Sequence, residues 1–262
     1  MASPPAAALT RLECHSLDVA AGDRILVRQL ELSLQPGLFL AVLGPNGAGK
    51  TLTLLTLAGL RKAASGQVLL EGSPVSDWPA RQRARRISML LQDPGDALPA
   101  TVEETVLGGR YAHLGLAGQE TAADREAALH ALGVVQLTEL VGREVISLSG
   151  GERQRLSIAT VIAQDAPLCI LDEPVNALDP GHQIAVMEFF RERCRAGHSV
   201  IASLHDPTLA ARFSDAVLML DGAGGWSLGD SATALNGATL SALYRHPIDE
   251  INDGQRRVFA AG

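Results

Sequence analysis

Residues 44–51 read Gly44-Pro45-Asn46-Gly47-Ala48-Gly49-Lys50-Thr51, between an apolar run at residues 38–43 and an apolar stretch of helical character that starts at Leu52. Strand, glycine-rich loop and helix in that order are the setting of a phosphate-cradling P-loop. Gly44, Gly47 and Gly49 let the backbone curl so that successive N–H groups point inward, and the helix adds its positive N-terminal end. Lys50 is placed to reach the β- and γ-phosphates of a nucleotide, and the Thr51 hydroxyl to hold Mg²⁺. The chain has 22 Lys and Arg residues, yet only Lys50 and Lys62 are lysines. In a chain that favours arginine so strongly, a lysine in this loop points to a need for a compact ammonium rather than a planar fork.

Phosphoryl chemistry also needs a carboxylate that orients Mg²⁺ from the end of a neighbouring buried strand, and Asp172 after Leu168-Cys169-Ile170-Leu171 supplies it. Glu173 follows directly, placed to polarise an attacking water. His205 ends the next apolar strand, so in a parallel sheet it emerges on the same edge, where the γ-phosphate would lie. Ser149-Gly150-Gly151-Glu152 is a second glycine-rich helix start. Two readings of it stay open on the residues alone: another anion site, or a helix N-cap in which Ser149 and Glu152 complete a capping box.

The elements that must carry these groups alternate. Residues 12–34 read as two strands joined by a turn at residues 21–23, and Pro36-Gly37 ends the second. A short strand is expected at residues 67–70, then a polar helical segment, then a strand at residues 87–91 that runs into Gln92. Residues 101–140 lose the strand runs and show helical spacing, for example Val102, Val106 and Leu107. A helix opens at Ser149 and runs to about Gln164, and apolar strands return at residues 199–204 and 216–220. Strand and helix alternating in this way imply a parallel sheet covered by helices with a helical insertion, an α/β fold. Residues from Gly222 onward read as an appendage.

At 262 residues the chain is long enough to bury a substantial core as one domain. No apolar run reaches the ~18 residues a membrane span needs. Residues 1–10 lack a basic start and a continuous apolar stretch, so they read as a frayed end, and a cytoplasmic protein is expected. A net charge of −7 speaks against general nucleic-acid binding. The plain reading of Arg81, Arg83, Arg85 and Arg86 is the exposed face of a short helix. Cys14, Cys169 and Cys194 show no metal-ligand spacing, which suits a reducing compartment, and Cys169 lies in an apolar run expected to be core.

Taken together, these motifs resemble the ATP-binding subunit of an ABC transporter, from about Leu12 to the C-terminus. Leu148-Ser149-Gly150-Gly151-Glu152 is similar to the family's signature motif, Gln92 to its Q-loop residue, Asp179 in Ala177-Leu178-Asp179 to its D-loop, and His205 to its switch histidine. The resemblance implies a P-loop NTPase fold, with a mostly parallel sheet flanked by helices, an antiparallel β subdomain and a helical insertion. Residues 12–92 and 165–221 would form the RecA-like core with the β subdomain, residues 93–164 the helical subdomain, and 222–262 the appendage, all within one ABC ATPase domain. It implies ATP and Mg²⁺ as cofactors, with residues 44–51, Leu52, Ser149 to Glu152 and Asp179 on the nucleotide, and Thr51, Gln92 and Asp172 around the metal. Glu173, His205, Gln92 and Lys50 would carry the chemistry. The implied partners are a second copy of the chain, two membrane-spanning permease subunits and, indirectly, a periplasmic or surface substrate-binding protein, with no nucleic acid. The implied place is the cytoplasmic face of the cell (inner) membrane.

The chain departs from the family where an aromatic residue usually stacks on adenine: Ala21 stands there, and no aromatic precedes Phe39. Asn176 in the D-loop segment is a lesser departure. Residues 101–113, Asp179-Pro180-Gly181-His182-Gln183, residues 205–212 and residues 240–248 resemble importers of iron-siderophores, haem and cobalamin. The plain readings of Arg110 and His113 are solvated helix residues, and of His182 a surface position. A soluble ABC ATPase of DNA repair or translation, and a low-turnover nucleotide-dependent regulator, are the alternatives. A single P-loop and no basic surface count against the first, and Glu173 with His205 against the second.

Overall fold

The computed structural model describes residues 10–92, 99–115, 118–252, 254 and 256–262. Of the frayed end expected at residues 1–10, residues 1–9 lie outside the described residues, as does the expected start of the helical insertion at residues 93–98; Thr10 is not frayed but buried, and its hydroxyl donates to Glu71 Oε1 at 3.3 Å.

The chain opens with strands β1 (Leu12–Ala21), β2 (Arg24–Leu34) and β3 (Phe39–Leu43), then helix α1 (Lys50–Leu57). β4 (Ser65–Leu70), β5 (Ser73–Pro74), α2 (Ala80–Ala84) and β6 (Ile87–Leu90) follow. Three helices come next, α3 (Val102–Gly108), α4 (Ala122–Val134) and α5 (Gly150–Gln164). Strand and helix then alternate through β7 (Leu168–Asp172), α6 (Pro180–Arg195), β8 (Ser199–Ser203), α7 (Pro207–Phe213) and β9 (Ala216–Leu220). The chain closes with β10 (Trp226–Asp230), α8 (Ser231–Ala234), α9 (Gly237–Tyr244), β11 (Ile248–Asn252) and β12 (Arg257–Ala261).

The central sheet has the order β10-β9-β3-β8-β7-β6, parallel throughout except at β10, which runs antiparallel to β9. β3, β7 and β8 are buried at every position. Continuous apolar sequence is what strands covered on both faces require. Within β3 the two faces separate by alternation: Phe39, Ala41 and Leu43 join the core beneath α5, α6 and α7, while Leu40 and Val42 join the core shared with α1 and the first sheet. That first sheet, β2-β1-β4-β5, is antiparallel, with half-buried alternating strands.

Two details differ from the sequence expectation. Helix α1 starts at Lys50 rather than Leu52, because Gly49 takes a left-handed cap conformation with φ 97°, and it ends at Leu57 short of Leu60, which is exposed next to Gly59 at φ 69°. Arg110 and His113 are not solvated. Arg110 ion-pairs with Asp124 at 3.0 Å and donates to the Ala163 carbonyl at 2.8 Å, and His113 Nε2 donates to the Gln164 carbonyl at 2.7 Å. These are carbonyls of the last turn of α5, which lack partners within the helix, so both side chains act as its C-terminal cap. Burial lowers the His113 pKa, opposed by its bond to the Gln164 carbonyl and reinforced by the neighbouring Arg110 and Arg85.

The Arg81–Arg86 cluster is likewise partly structural: Arg81 and Arg85 both donate to the Ala112 carbonyl, and Arg86 pairs with Glu71 at 3.0 Å. Cys169 is core, and all three cysteines are free and buried, with burial pushing the Cys14 and Cys194 thiols up to about 12. Residues 222–262 give β10 to the central sheet and Leu235, Leu240 and Phe259 to its core.

Candidate functional site

The parallel sheet brings four chain segments out at one edge. β3 ends in the glycine-rich loop, β7 in Asp172-Glu173, β8 in residues leading to His205, and β6 in residues leading to Gln92. Register makes this concrete: Asp172 lies beside Ser203 and Leu90 beside Leu171. Ligands of open α/β sheets bind at this carboxyl edge. A cleft of about 630 Å³ occupies it, with Gly47, Lys50, Thr51, Gln92, Glu173 and His205 among its lining residues.

The loop conformation depends on glycine at two places in particular. Gly44 has φ 156°, and a Cβ there would lie 2.4 Å from the Leu220 carbonyl oxygen; Gly49 has φ 97° and faces the Leu26 side chain. Pro45, Asn46 and Ala48 complete the curl, which the Ala48 N–H closes on the Pro45 carbonyl at 3.1 Å. Lys50 is buried, and its Nζ donates to the Gly44 carbonyl at 2.8 Å and the Pro45 carbonyl at 3.4 Å. Burial lowers its pKa, and the carboxylates of Glu173 and Asp172 partly offset that. An anion entering the loop would restore the balance further.

Asp172 is completely buried. Its Oδ1 accepts from Ser203 Oγ at 2.6 Å, while Oδ2 has no hydrogen-bond partner among the described residues. An orphaned buried carboxylate oxygen is costly unless something electropositive meets it, more so than a neutral polar group, which already costs roughly 2–7 kcal/mol. Thr51 lines the adjoining cleft, so the pair fits a hard divalent cation that completes its shell with phosphate and water oxygens.

Glu173 sits at φ 52°, a strained value for a residue with a side chain, and its N–H donates to Ser203 Oγ at 2.8 Å. Its carboxylate is gripped from three segments. Gln92 Nε2 donates to Oε2 at 2.9 Å, Asn176 Nδ2 to the same oxygen at 3.2 Å, and His205 Nε2 lies 2.5 Å from Oε1. These partners are 81, 3 and 32 residues away along the chain. The geometry leaves a carboxylate that lines the same cleft as the phosphate loop.

Ser149 to Glu152 do not line this cleft. Ser149 caps α5 in a complete capping box: its Oγ accepts from the Glu152 N–H at 3.3 Å, and its own N–H donates to Glu152 Oε2 at 2.7 Å. That backbone bond holds the Glu152 carboxyl below its usual range. The capping reading is therefore realised within the chain, and Ser149 and Gly150 remain exposed at the helix start. Gln154, one turn on, donates to the carbonyls of Glu173 and Pro174, which couples α5 to the carboxylate strand. Asp179 is also away from the cleft. It caps α6 by accepting from the His182 N–H at 3.0 Å, and its Oδ2 meets His182 Nδ1 at 2.6 Å, while His182 pairs on its other side with Arg155.

Three residues near the chemistry were not read from the sequence as site residues. Ser203 joins Asp172 to Glu173 and is legible only as the serine that closes the short strand Ser199–Ser203. Asn176 was noticed but given no role. Arg24 lines the hairpin end of the cleft beside Ala21 and Leu26.

Comparison with known proteins agrees with this geometry. The ABC transporter family profile matches residues 27–176. The hemin import ATP-binding protein HmuV of Streptomyces coelicolor is 39% identical over 233 residues, covering 89% of this chain and 82% of that protein. The protein of the same name from Pseudomonas aeruginosa is 38% identical over 248 residues, covering 90% and 96%. Among solved structures, an inward-facing metal-chelate type ABC transporter superposes with a TM-score of 0.82 at 27% identity, over 97% of this chain and 98% of that one. With a family profile over more than half its length, and curated relatives matched over most of theirs, the chain belongs to the ABC transporter family.

Proposed function

We propose that this chain is the ATP-binding and ATP-hydrolysing subunit of an importer of metal chelates, with haem the first candidate cargo and ferric siderophores or cobalamin the related ones. The observation that carries the ATPase reading is the convergence of Gln92, Asn176 and His205 on the Glu173 carboxylate beside the phosphate loop. The haem reading rests on the relatives, which are named for hemin import.

In this reading the amides of residues 44–51 and of Leu52 bind the phosphates, and Lys50 exchanges its loop carbonyls for phosphate oxygens. Thr51, Asp172 and Gln92 would hold Mg²⁺, which supplies charge neutralisation of the phosphates. Glu173 accepts a proton from water as its oxygen attacks the γ-phosphorus, and the bond to the leaving ADP oxygen breaks. His205 and Lys50 steady the negative charge that develops on the transferred group.

Ser149 to Gly151 and Asp179 would meet the nucleotide of a second copy rather than their own. Ser149, Gly150 and Asp179 are exposed outside the cleft, which supports that, and the N-terminal end of α5 carries the positive end of the helix dipole, which favours an anion. The domain would divide as the sequence suggests, with α3 to α5 as the helical subdomain that carries the second copy's anion site. No helix among the described residues is long and apolar enough to cross a membrane. Attachment to the cytoplasmic face of the membrane would therefore run through permease subunits, with a substrate-binding protein delivering cargo on the other side.

Uptake of labelled haem, ferric siderophore and cobalamin in a strain deleted for this gene tests the reading. Restoration of haem uptake by the wild-type gene, and not by the Glu173→Gln gene, is expected. Normal haem uptake in the deletion strain with loss of one of the others would reassign the cargo.

A further inference from the structure

The two ends of the cleft differ. Glu173, Gln92 and His205 mark the end where the γ-phosphate would react, so with its phosphates in the loop a nucleotide must direct its base to the other end. That end is formed by Ala21, Arg24 and Leu26 of the β1–β2 hairpin. A nucleobase gains affinity by laying its π face on something flat. The hairpin contains no aromatic residue, and Phe39, the first in the chain, is wholly buried in the core.

Of the three hairpin residues that line the cleft, Ala21, Arg24 and Leu26, Arg24 carries the planar group, its guanidinium. Ala21 and Arg24 are directly opposed partners in the antiparallel pair, separated by the two-residue turn Gly22-Asp23. Their side chains therefore leave the hairpin on the same face, and the short Ala21 methyl leaves that face to Arg24. The guanidinium is also held: Nη2 donates to the Gly222 carbonyl at 2.7 Å. Gly222 (φ 74°) packs on the phosphate loop so closely that a Cβ there would lie 3.2 Å from Ala48 Cα. The turn it begins is fixed by Asp221 Oδ1, which accepts from the N–H groups of Ala223 and Gly225, and by Gly224, whose carbonyl accepts from the Arg28 N–H.

We propose that Arg24 is the nucleobase platform of this site: its guanidinium, tethered to the turn after β9, stacks on the purine ring in place of an aromatic side chain. The proposal rests on the reading of the cleft as an ATP site. A planar guanidinium laid on a ring stacks on any purine, so ATP and GTP should be bound with similar affinity.

The test uses the full-length protein and measures dissociation constants for Mg-ATP, Mg-GTP and inorganic tripolyphosphate, with melting temperatures to confirm folding. Arg24→Ala is expected to weaken ATP and GTP by about tenfold each and to leave tripolyphosphate within about twofold. Arg24→Lys, which keeps the charge and loses the plane, should be as weak as Arg24→Ala, and adding Ala21→Tyr to Arg24→Ala should restore ATP affinity. Parallel weakening of tripolyphosphate, full rescue by lysine, or unchanged ATP affinity in Arg24→Ala would each overturn the assignment. Wild-type protein that binds neither ATP nor tripolyphosphate would overturn the ATP reading itself, and the proposal with it.

Discussion

The Glu173 carboxylate is held by an amide from the β6 end, an amide three residues on, and an imidazole from the β8 end. Such a group is oriented before any substrate arrives, and removing its basicity should cost turnover rather than binding. Glu173→Gln is expected to bind ATP normally and to hydrolyse it at least ~10²-fold more slowly in a steady-state assay. Hydrolysis at the wild-type rate would sink the assignment. A second residue-scale prediction concerns stability. Asp124 accepts from Thr121 and pairs with Arg110, which holds its carboxyl down at about 2, from an ordinary value of 3.8. Because the folded value is the lower one, the stabilisation is complete above the unfolded value and is lost as pH falls from about 4 toward 2. Asp124→Asn should therefore lower stability by about 2 kcal/mol at pH 7 in denaturant titrations. That difference should shrink as the pH falls through about 2 and disappear below it; a constant difference at all pH values would contradict the charge argument.

Among the helices, α5 carries two demands on one residue. Ser149 closes a capping box within the chain, and in the proposed dimer its hydroxyl would also face a nucleotide on a second copy. Aspartate caps helices as well as serine does but brings a negative charge toward phosphate. Ser149→Asp is thus expected to keep the melting temperature and abolish ATPase activity, whereas Ser149→Ala should lose about 1 kcal/mol of stability through the missing cap. Equal activity of wild type and Ser149→Asp would show that the helix start serves only as a cap. α5 is also anchored at its other end, where Arg110 and His113 cover its last carbonyls. Gln154 and these two residues make it the rod that connects the helical region to the carboxylate strand.

For the whole molecule, the cleft holds one set of groups and α5 presents another on its exposed start, so a single copy does not bring them together. Two copies arranged head to tail would. Glu173→Gln protein with Mg-ATP is expected to sediment at twice the 27.5 kDa chain mass and to return to the single mass once nucleotide is removed. A single-mass species at saturating ATP and at concentrations of tens of micromolar, a range set by ordinary interface affinities, would argue against the composite site. Co-purification with a multi-span membrane protein from native membranes would separate a transport subunit from a soluble ABC ATPase.

What the sequence determined by itself is what contiguous residues control. The glycine-rich loop, the capping box at Ser149 and the apolar runs that lead to Gly44, Asp172 and His205 each follow from a few neighbouring residues whose backbone preferences and burial agree. Parallel alternation was enough to bring Glu173 and His205 to one edge. Tertiary structure decided the pairings between distant segments. Gln92 reaches Glu173 across 81 residues, Arg24 reaches Gly222 across 198, and Arg110 leaves solvent for the end of α5 across 53. A hydrogen bond of that kind depends on strand register and on where a turn directs a carbonyl, and neither is written in local composition. For the same reason residues 222–262 read only as an appendage in sequence, where their short runs carry little periodic signal, while in the fold β10 pairs with the central sheet and the turn before it accepts a hydrogen bond from Arg24.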